Sequence, residues 1–370
     1  LRSLAQMGVP ITMEEPLGAR MRINGRPVDY FCGTSYFCLH GHQEVIDAAC
    51  AATREYGLGP GTLALMPIYA ELKAALCAWF ATEDVVPLIS GYVSPMALLQ
   101  GLRDDFDVVF VDQATHYSSR DAIAGLGKPV YQFRHLDANS LSGVLRLHLR
   151  ARQRAVIVTD GVFPSTGALA PLADYSNAMA AYDNCLLCVD DSHGVGVLGQ
   201  SGRGSLQHAN LEQEGYYFSG TLSKAFGALG GIVPATSVLA EKIRQKSMVL
   251  RGASLPPPAA AAAAISALRL LKARPQIRAD LNRNVLHLRS GLRKLGFAVA
   301  DSPVPIVSLR GAIDLEHLRG ALDKRDIVVK ITPAHGYSDA PDMPTMRLAV
   351  FSDHSPLQID RLLSAIRDVV

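Results

Sequence analysis

Between residues 85 and 233 the sequence repeats one kind of unit. A short apolar run ends in a polar or glycine residue, and a stretch with helical spacing follows. The runs are 85–89, 108–111, 155–159, 185–189 and 216–218, with a return at 229–233. Runs this short and this apolar read as strands buried on both faces. Strands alternating with helical stretches are joined by crossovers, which predicts an α/β fold with a mainly parallel sheet and helices on both sides. Ligands of such sheets bind beyond the carboxyl ends of the strands. The whole chain of 370 residues, 49% of them hydrophobic, is long enough for a large core and two unequal lobes. A formal charge of only +2 argues against a nucleic-acid binder.

Two of the strand ends carry chemistry. After the apolar run at 216–218 come Ser219, Gly220, Thr221, Leu222, Ser223 and Lys224, then Gly227, Gly230 and Gly231. A lysine at the end of a buried strand is costly unless it is neutralised or bonded, and a Schiff base with an aldehyde cofactor does both. Thr221 and Ser223, with the backbone N–H groups of a glycine turn, would bind a phosphate. Lysine with a phosphate cradle points to pyridoxal phosphate; a solvated turn lysine is the other reading of the same string. The second strand end reads Val189, Asp190, Asp191, Ser192, His193, Gly194. A carboxylate is expensive to bury unless paired. The protonated pyridine nitrogen of pyridoxal phosphate is such a partner, and an acid there keeps the ring an electron sink. His193 would then bond the ring oxygen. A metal pair or a satisfied core carboxylate is the alternative, and no second His or Cys cluster with ligand spacing supports a metal.

The two strings together, Val189 to Gly204 and Ser219 to Gly227 in this order, resemble the α-oxoamine synthases. These pyridoxal-phosphate enzymes include 8-amino-7-oxononanoate synthase, 2-amino-3-ketobutyrate CoA ligase, 5-aminolevulinate synthase and serine palmitoyltransferase. The resemblance covers nearly the whole chain. It implies the aspartate-aminotransferase-like, fold-type-I transferase fold: an N-terminal arm at 1–42, a large cofactor-binding domain at 43–258 and a smaller C-terminal α/β domain at 259–370.

It also implies roles for further residues. Ser90, Gly91 and Tyr92 match a string whose backbone N–H groups bind the cofactor phosphate. As a bare strand-to-helix turn of small residues, that site would suit an anion anyway. His116 matches a histidine that stacks on the pyridine ring; read alone it is an ordinary polar histidine. Ser254 matches a serine or threonine that reaches the phosphate across a dimer interface. Arg347, on an apolar strand, matches the arginine that grips the substrate α-carboxylate, a task suited to a guanidinium fork; a rim arginine is the other reading. Three departures bear on the substrate. Thr34 stands where the family has a substrate-contacting asparagine. Pro164 replaces a cofactor-contacting serine, with Ser165 one residue late as its stand-in. The loop 332–344 is longer than the family's and differently composed.

Along the rest of the chain, 21–28 reads as a hairpin with an Asn-Gly turn. Residues 43–56, 67–80, 259–273 and 276–295 read as helices. Residues 57–62 form a glycine-rich turn that in the family approaches the neighbouring subunit's cofactor. Strands are expected at 306–309, 327–329 and 348–351, and a last helix from Ser355-Pro356. Cys185 and Cys188 fall inside one strand, so buried free thiols are expected, not a redox or zinc pair. No apolar run reaches membrane-spanning length, and no signal-peptide pattern is read within the sequence, which begins at Leu1 without a methionine. A cytoplasmic enzyme is expected.

The chemistry these residues allow is carbanion chemistry on an amino acid, with Lys224, His116, Asp190 and His193 as the catalytic set. The resemblance adds the second substrate: an acyl thioester of CoA or a carrier protein, condensed with a small amino acid with loss of carbon dioxide to give an α-amino ketone, in a homodimer. Another reaction at the same cofactor (transamination, aldol cleavage or elimination) is the alternative. A non-catalytic partner subunit is a further one, against which the retained Lys224 speaks.

Overall fold

The computed structural model describes residues 12–60, 66–183, 185–311 and 313–370. Residues 1–11 of the expected arm, and Gly61 and Thr62 of the glycine-rich turn, lie outside the described residues. The strands are β1 (Arg20–Ile23), β2 (Arg26–Tyr30), β3 (Asp84–Leu88), β4 (Val108–Asp112), β5 (Val130–Phe133), β6 (Ala155–Asp160), β7 (Cys185–Asp190), β8 (Tyr216–Thr221), β9 (Gly231–Ala235), β10 (Ile306–Leu309), β11 (Ile327–Val328), β12 (Lys330–Thr332) and β13 (Thr345–Ala349). The main helices are α1 (Gln43–Tyr56), α2 (Pro67–Phe80), α3 (Ser94–Gly101), α4 (Tyr117–Ala124), α5 (Ala138–His148), α6 (Leu172–Met179), α7 (Ser237–Lys246), α8 (Pro258–Ala273), α9 (Gln276–Lys294), α10 (Leu315–Asp323) and α11 (Pro356–Arg367).

Seven strands form one sheet in the order β3-β9-β8-β7-β6-β4-β5. Only β9 runs against its neighbours; the other pairings are parallel. Every residue of β4, β6 and β9 is buried, as two covered faces require. One face packs on α3, α4 and α7 through Leu98, Leu99, Ile123, Leu239 and Ile243. The other packs through Phe110, Phe133, Leu141, Leu145 and Tyr175 onto α5 and α6. The parallel strands therefore all point their carboxyl ends, Leu88, Asp112, Asp160, Asp190 and Thr221, to the same edge. In register, Asp160 lies beside Asp190, and Asp190 beside Ser219.

Two small sheets complete the fold. The hairpin β1–β2 turns at Asn24 (φ 49°) and Gly25 (φ 76°), the double positive φ of a tight hairpin turn, and adds β11 in parallel. The antiparallel set β10-β13-β12 carries Arg347. The alanines of α8 are buried against α1 and α2, where small side chains let helix axes close up. Cys185 and Cys188 lie in β7, and the six cysteines are free.

Three expectations shift. The strand at 348–351 is β13, three residues earlier, because Phe351 already turns back and donates its N–H to His354 Nδ1 at 2.9 Å. The return at 229–233 starts two residues later and is antiparallel, because Gly230 belongs to the turn beside Lys224. The edge strand β5 was not expected: Val130 and Gln132 are exposed, Tyr131 is partly buried and only Phe133 is buried, so it carries no apolar run.

Candidate active site

The carboxyl ends of β6, β7 and β8 open into a cavity of about 300 Å3. Lys224 reaches it from the turn after β8, and that turn is fixed by its own polar atoms. Thr221 Oγ1 donates to the Gly230 carbonyl at 3.0 Å and accepts the Ser223 N–H at 3.1 Å. Ser223 Oγ accepts the Gly230 N–H at 3.3 Å, and His40 Nε2 meets the Ser223 carbonyl at 3.1 Å. Gly227 closes the turn at φ 61°, where a Cβ would lie 2.6 Å from the Leu39 carbonyl carbon. The Nζ of Lys224 makes no hydrogen bond or ion pair among the described residues. Burial lowers its pKa to about 8, aided by the charge of Arg347 and opposed by Asp190 and Asp160.

Asp190 ends β7 and is buried. Its oxygens accept from neutral donors only: Ser118 Oγ at 3.0 Å and the Ser192 N–H at 3.1 Å. His193 is buried too, and its Nδ1 lies 2.6 Å from the Tyr36 hydroxyl. Burial holds its pKa well below that of a free imidazole, and the charges of Lys224, Arg347 and His116 push the same way, so the ring is neutral at pH 7. His116 caps α4. Its Nδ1 accepts the Ser118 N–H at 3.1 Å and lies 2.7 Å from Ser118 Oγ, while its own backbone N–H donates to Asp160 Oδ1 at 3.1 Å. Tyr92 and Tyr337 set their rings 6.2 Å from the imidazole, one edge-on and one tilted.

Arg347 is buried in the middle of β13. Its Nε donates to the Pro164 carbonyl and its Nη1 to the Gly33 carbonyl, each at 3.0 Å. The Ser90–Tyr92 turn abuts the lysine turn. A Cβ on Gly91 would fall 2.4 Å from Thr221 Cβ, and one on Gly231 would fall 2.3 Å from the Ser90 carbonyl, so only glycine allows this approach. Ser90 Oγ accepts the Tyr92 N–H at 3.2 Å, which leaves its proton free to donate.

The cavity thus gathers Thr34, the Ser90–Tyr92 turn, His116, Asp190, His193, Thr221, Ser223, Lys224 and Arg347. Two expected residues stand apart. Pro164 lines the cavity and turns the chain so that Ser165 faces away: its Oγ is buried without a partner, and its carbonyl accepts from Ser308 and Thr345. Ser254 is exposed and outside the cavity of its own chain. Conversely Tyr36, Ser118, Asp160, Ser192 and Tyr337 belong to the site, and the sequence reading assigned them nothing. Ser118 and Ser192 stand two residues past His116 and Asp190, a spacing that signals a cap at a strand end.

These residues fit pyridoxal phosphate. The fit rests on a half-buried amine without a partner among the described residues, a buried carboxylate bonded only to neutral donors, and two turns that glycine lets pack together beside the Ser90 and Ser223 hydroxyls, whose protons are free.

A model of the aminotransferase class I and II family matches residues 34–366. A putative 8-amino-7-oxononanoate synthase from Desulforudis audaxviator (strain MP104C) is 34% identical over 359 residues, covering 95% of this chain and 92% of the relative. The 8-amino-7-oxononanoate synthase of Nitrosococcus oceani is 33% identical over 372 residues, covering 97% and 96%. A solved serine palmitoyltransferase from S. paucimobilis superposes with a TM-score of 0.90 at 22% identity, covering 100% of this chain and 95% of that one. An 8-amino-7-oxononanoate synthase from Francisella tularensis gives 0.77 at 22%, covering 92% and 97%. The structural likenesses show the fold, that of the fold-type-I pyridoxal-phosphate transferases; the sequence relatives narrow the family. The chain belongs to the aminotransferase class I and II family and, within it, to the α-oxoamine synthases, pyridoxal-phosphate-dependent acyltransferases that condense an amino acid with an acyl thioester.

Proposed function

We propose that this enzyme condenses a small amino acid with an acyl-CoA thioester, releasing carbon dioxide and free thiol and leaving an α-amino ketone. The observation that carries the reading is the convergence of Lys224, Asp190, His193, His116 and Arg347 on one cavity. Pyridoxal phosphate, when bound, supplies the electron sink for a carbanion at the substrate Cα. Lys224 would hold the cofactor through Nζ, and the same atom would serve as the base for the substrate α-proton. Its depressed pKa suits a base that works near neutrality. Asp190, bonded only to Ser118 and the Ser192 N–H, would pair with the protonated ring nitrogen. His193, neutral and steadied by Tyr36 at Nδ1, would donate from Nε2 to the ring oxygen. Arg347 presents its remaining N–H groups to the α-carboxylate, while the carbonyls of Pro164 and Gly33 hold its fork still. Ser90, Gly91, Tyr92, Thr221 and Ser223 would cradle the phosphate, His116 would stack on the ring, and Thr34 would border the substrate. Ser165 acts only through the loop it stabilises.

We further infer the arm, large domain and small domain at 1–42, 43–258 and 259–370, a cytoplasmic location, and a homodimer in which Ser254 serves the partner's phosphate site. Among the described residues no helix is long and apolar enough to cross a membrane.

The test is thiol release. A panel of glycine, alanine and serine is crossed with short, medium and long acyl-CoA thioesters, with Lys224→Ala as control. Release that depends on one amino acid and disappears in the control supports the condensation and names both substrates. Silence across the panel, with the cofactor visibly bound, would sink the CoA reading. A stable pyridoxamine form after adding an amino acid would point to transamination instead.

A further inference from the structure

The hydroxyl of Ser118 has two neighbours and one proton. Its Oγ lies 3.0 Å from Asp190 Oδ2 and 2.7 Å from His116 Nδ1. The same Nδ1 also accepts the Ser118 backbone N–H at 3.1 Å. These contacts cannot all be satisfied at once, because Ser118 has a single hydroxyl proton and Nδ1 a single in-plane site.

The charge on Asp190 decides between two arrangements. An ionised carboxylate is an acceptor only, so the Ser118 proton must point at Oδ2. The 2.7 Å contact with the histidine is then attractive only if Nδ1 carries a proton and donates to Oγ. A protonated Asp190 would reverse the chain: Oγ–H would turn to Nδ1, and the imidazole proton would sit on Nε2. The bond from Ser118 to Asp190 is common to both tautomers, so the choice falls at Nδ1: Oγ, made a better acceptor by donating its proton to the carboxylate, lies 2.7 Å away, and that contact outweighs the longer one from the backbone N–H at 3.1 Å. The Nε2 atom makes no hydrogen bond among the described residues, and His116 lines the cavity.

We propose that Ser118 is a positioning residue that ties the tautomer of His116 to the charge of Asp190, holding the imidazole proton on Nδ1 and leaving Nε2 as a free acceptor in the cavity. The inference rests on the proposed role of Asp190 as an ionised partner of the cofactor ring. Its consequence is specific: His116 serves the reacting groups by accepting a proton or hydrogen bond at Nε2, not by donating one. Asp160 holds the main chain of His116 in place by accepting its backbone N–H at 3.1 Å. The remaining groups facing the imidazole do not compete for Nδ1. Burial lowers the pKa of the ring, Lys224 adds to that, Asp190 and Asp121 oppose it, and His193, Tyr92 and Tyr337 stand around it.

The experiment is long-range 1H–15N spectroscopy of the holoenzyme labelled at histidine, with His116→Gln to assign the signal. The wild-type protein should show the Nδ1–H tautomer. In Ser118→Ala only the backbone N–H of residue 118 still reaches Nδ1, so the signal should switch to the Nε2–H tautomer. Ser118→Thr, which keeps the hydroxyl, should restore the wild-type pattern. A cofactor-loaded wild type with its proton on Nε2 would overturn the inference alone, as would an unchanged tautomer in Ser118→Ala. Should the alanine variant fail to fold, the wild-type tautomer and the threonine variant still decide. A wild type that binds no cofactor, by its visible absorbance, would instead overturn the reading of the cavity and take this inference with it.

Discussion

At the scale of single residues, the site is built by excluding side chains as much as by presenting them. Asp191, next to Asp190, is fully buried, and burial pushes its pKa up to about 7. A Cβ on Gly194 would lie 2.0 Å from its Oδ1, one on Gly204 would lie 1.9 Å from its Oδ2, and one on Gly161 would meet Oδ1 at 2.4 Å. The glycines around the Asp190 string are thus the walls of a carboxyl-sized slot, and the Ser205 N–H closes it with a bond to Oδ2 at 2.6 Å. Asp190 projects into the cavity because its neighbour is locked out of it. Lys224 carries a residue-scale prediction. An amine attacks an aldehyde only when neutral, and protonation of Nζ is lost as pH rises through about 8. At pH 7 about a tenth of the lysine is neutral, against roughly one part in three thousand for an unshifted amine. The rate at which apoenzyme takes up pyridoxal phosphate, followed by visible absorbance, should climb with pH and level off above about 8. A climb that continues toward pH 10 would mean that burial does not depress this lysine.

At the scale of elements, polar side chains finish what backbone hydrogen bonds leave open. Asn284, buried in α9, donates its amide to the carbonyls of Phe351, Ser352 and His354, which hold the chain between β13 and α11. Arg289, one helical turn and a residue further on, holds the carbonyls of Ala300, Val304 and Ile306 that lead into β10. Both act on the segments flanking Arg347. The start of α11 is a capping box: Ser355 Oγ accepts the Gln358 N–H, and Gln358 returns a bond to the Ser355 N–H. Replacing the cap with Ser355→Ala should cost about 1 kcal/mol of unfolding free energy in urea titrations. It should leave the KM for amino acid alone, because α11 touches none of the cavity. A shift in KM without loss of stability would contradict that separation.

At the scale of the molecule, the cavity lies where the large sheet meets the C-terminal strands, and one side of it is formed by Arg347 of β13 and Tyr337 of the loop between β12 and β13. That loop is fastened to α4. The Tyr337 carbonyl accepts the Tyr117 N–H, the Tyr117 hydroxyl donates to the carbonyls of His335 and Ser338, and Arg120 pairs with Asp339 at 2.9 Å. The position of Ser254 bears on assembly. Exposed and outside its own cavity, it is available to a second copy. Sedimentation should give about twice the 39.7 kDa chain mass. Ser254→Ala should weaken cofactor retention without changing that mass. A monomeric holoenzyme would remove the proposed role of Ser254.

The sequence by itself determined many of the elements and the principal chemical groups. Short apolar runs and helical spacing are local signals, and α1, α2, β4 and β10 start where those signals start. A lysine and an aspartate at strand ends are also local, because burying either charge makes sense only with a partner. Only the tertiary structure decided which side chains meet. Tyr36 reaches His193 across 157 positions of chain, and Ser118 reaches Asp190 across 72. Such contacts depend on strand order and register, which no local pattern encodes. The same holds for what drops out of the cavity: Ser165 is one residue from where a donor was expected, and the fixed φ of Pro164 turns its hydroxyl into the wall. Residue types carry the chemistry, and packing chooses the partners that give it direction.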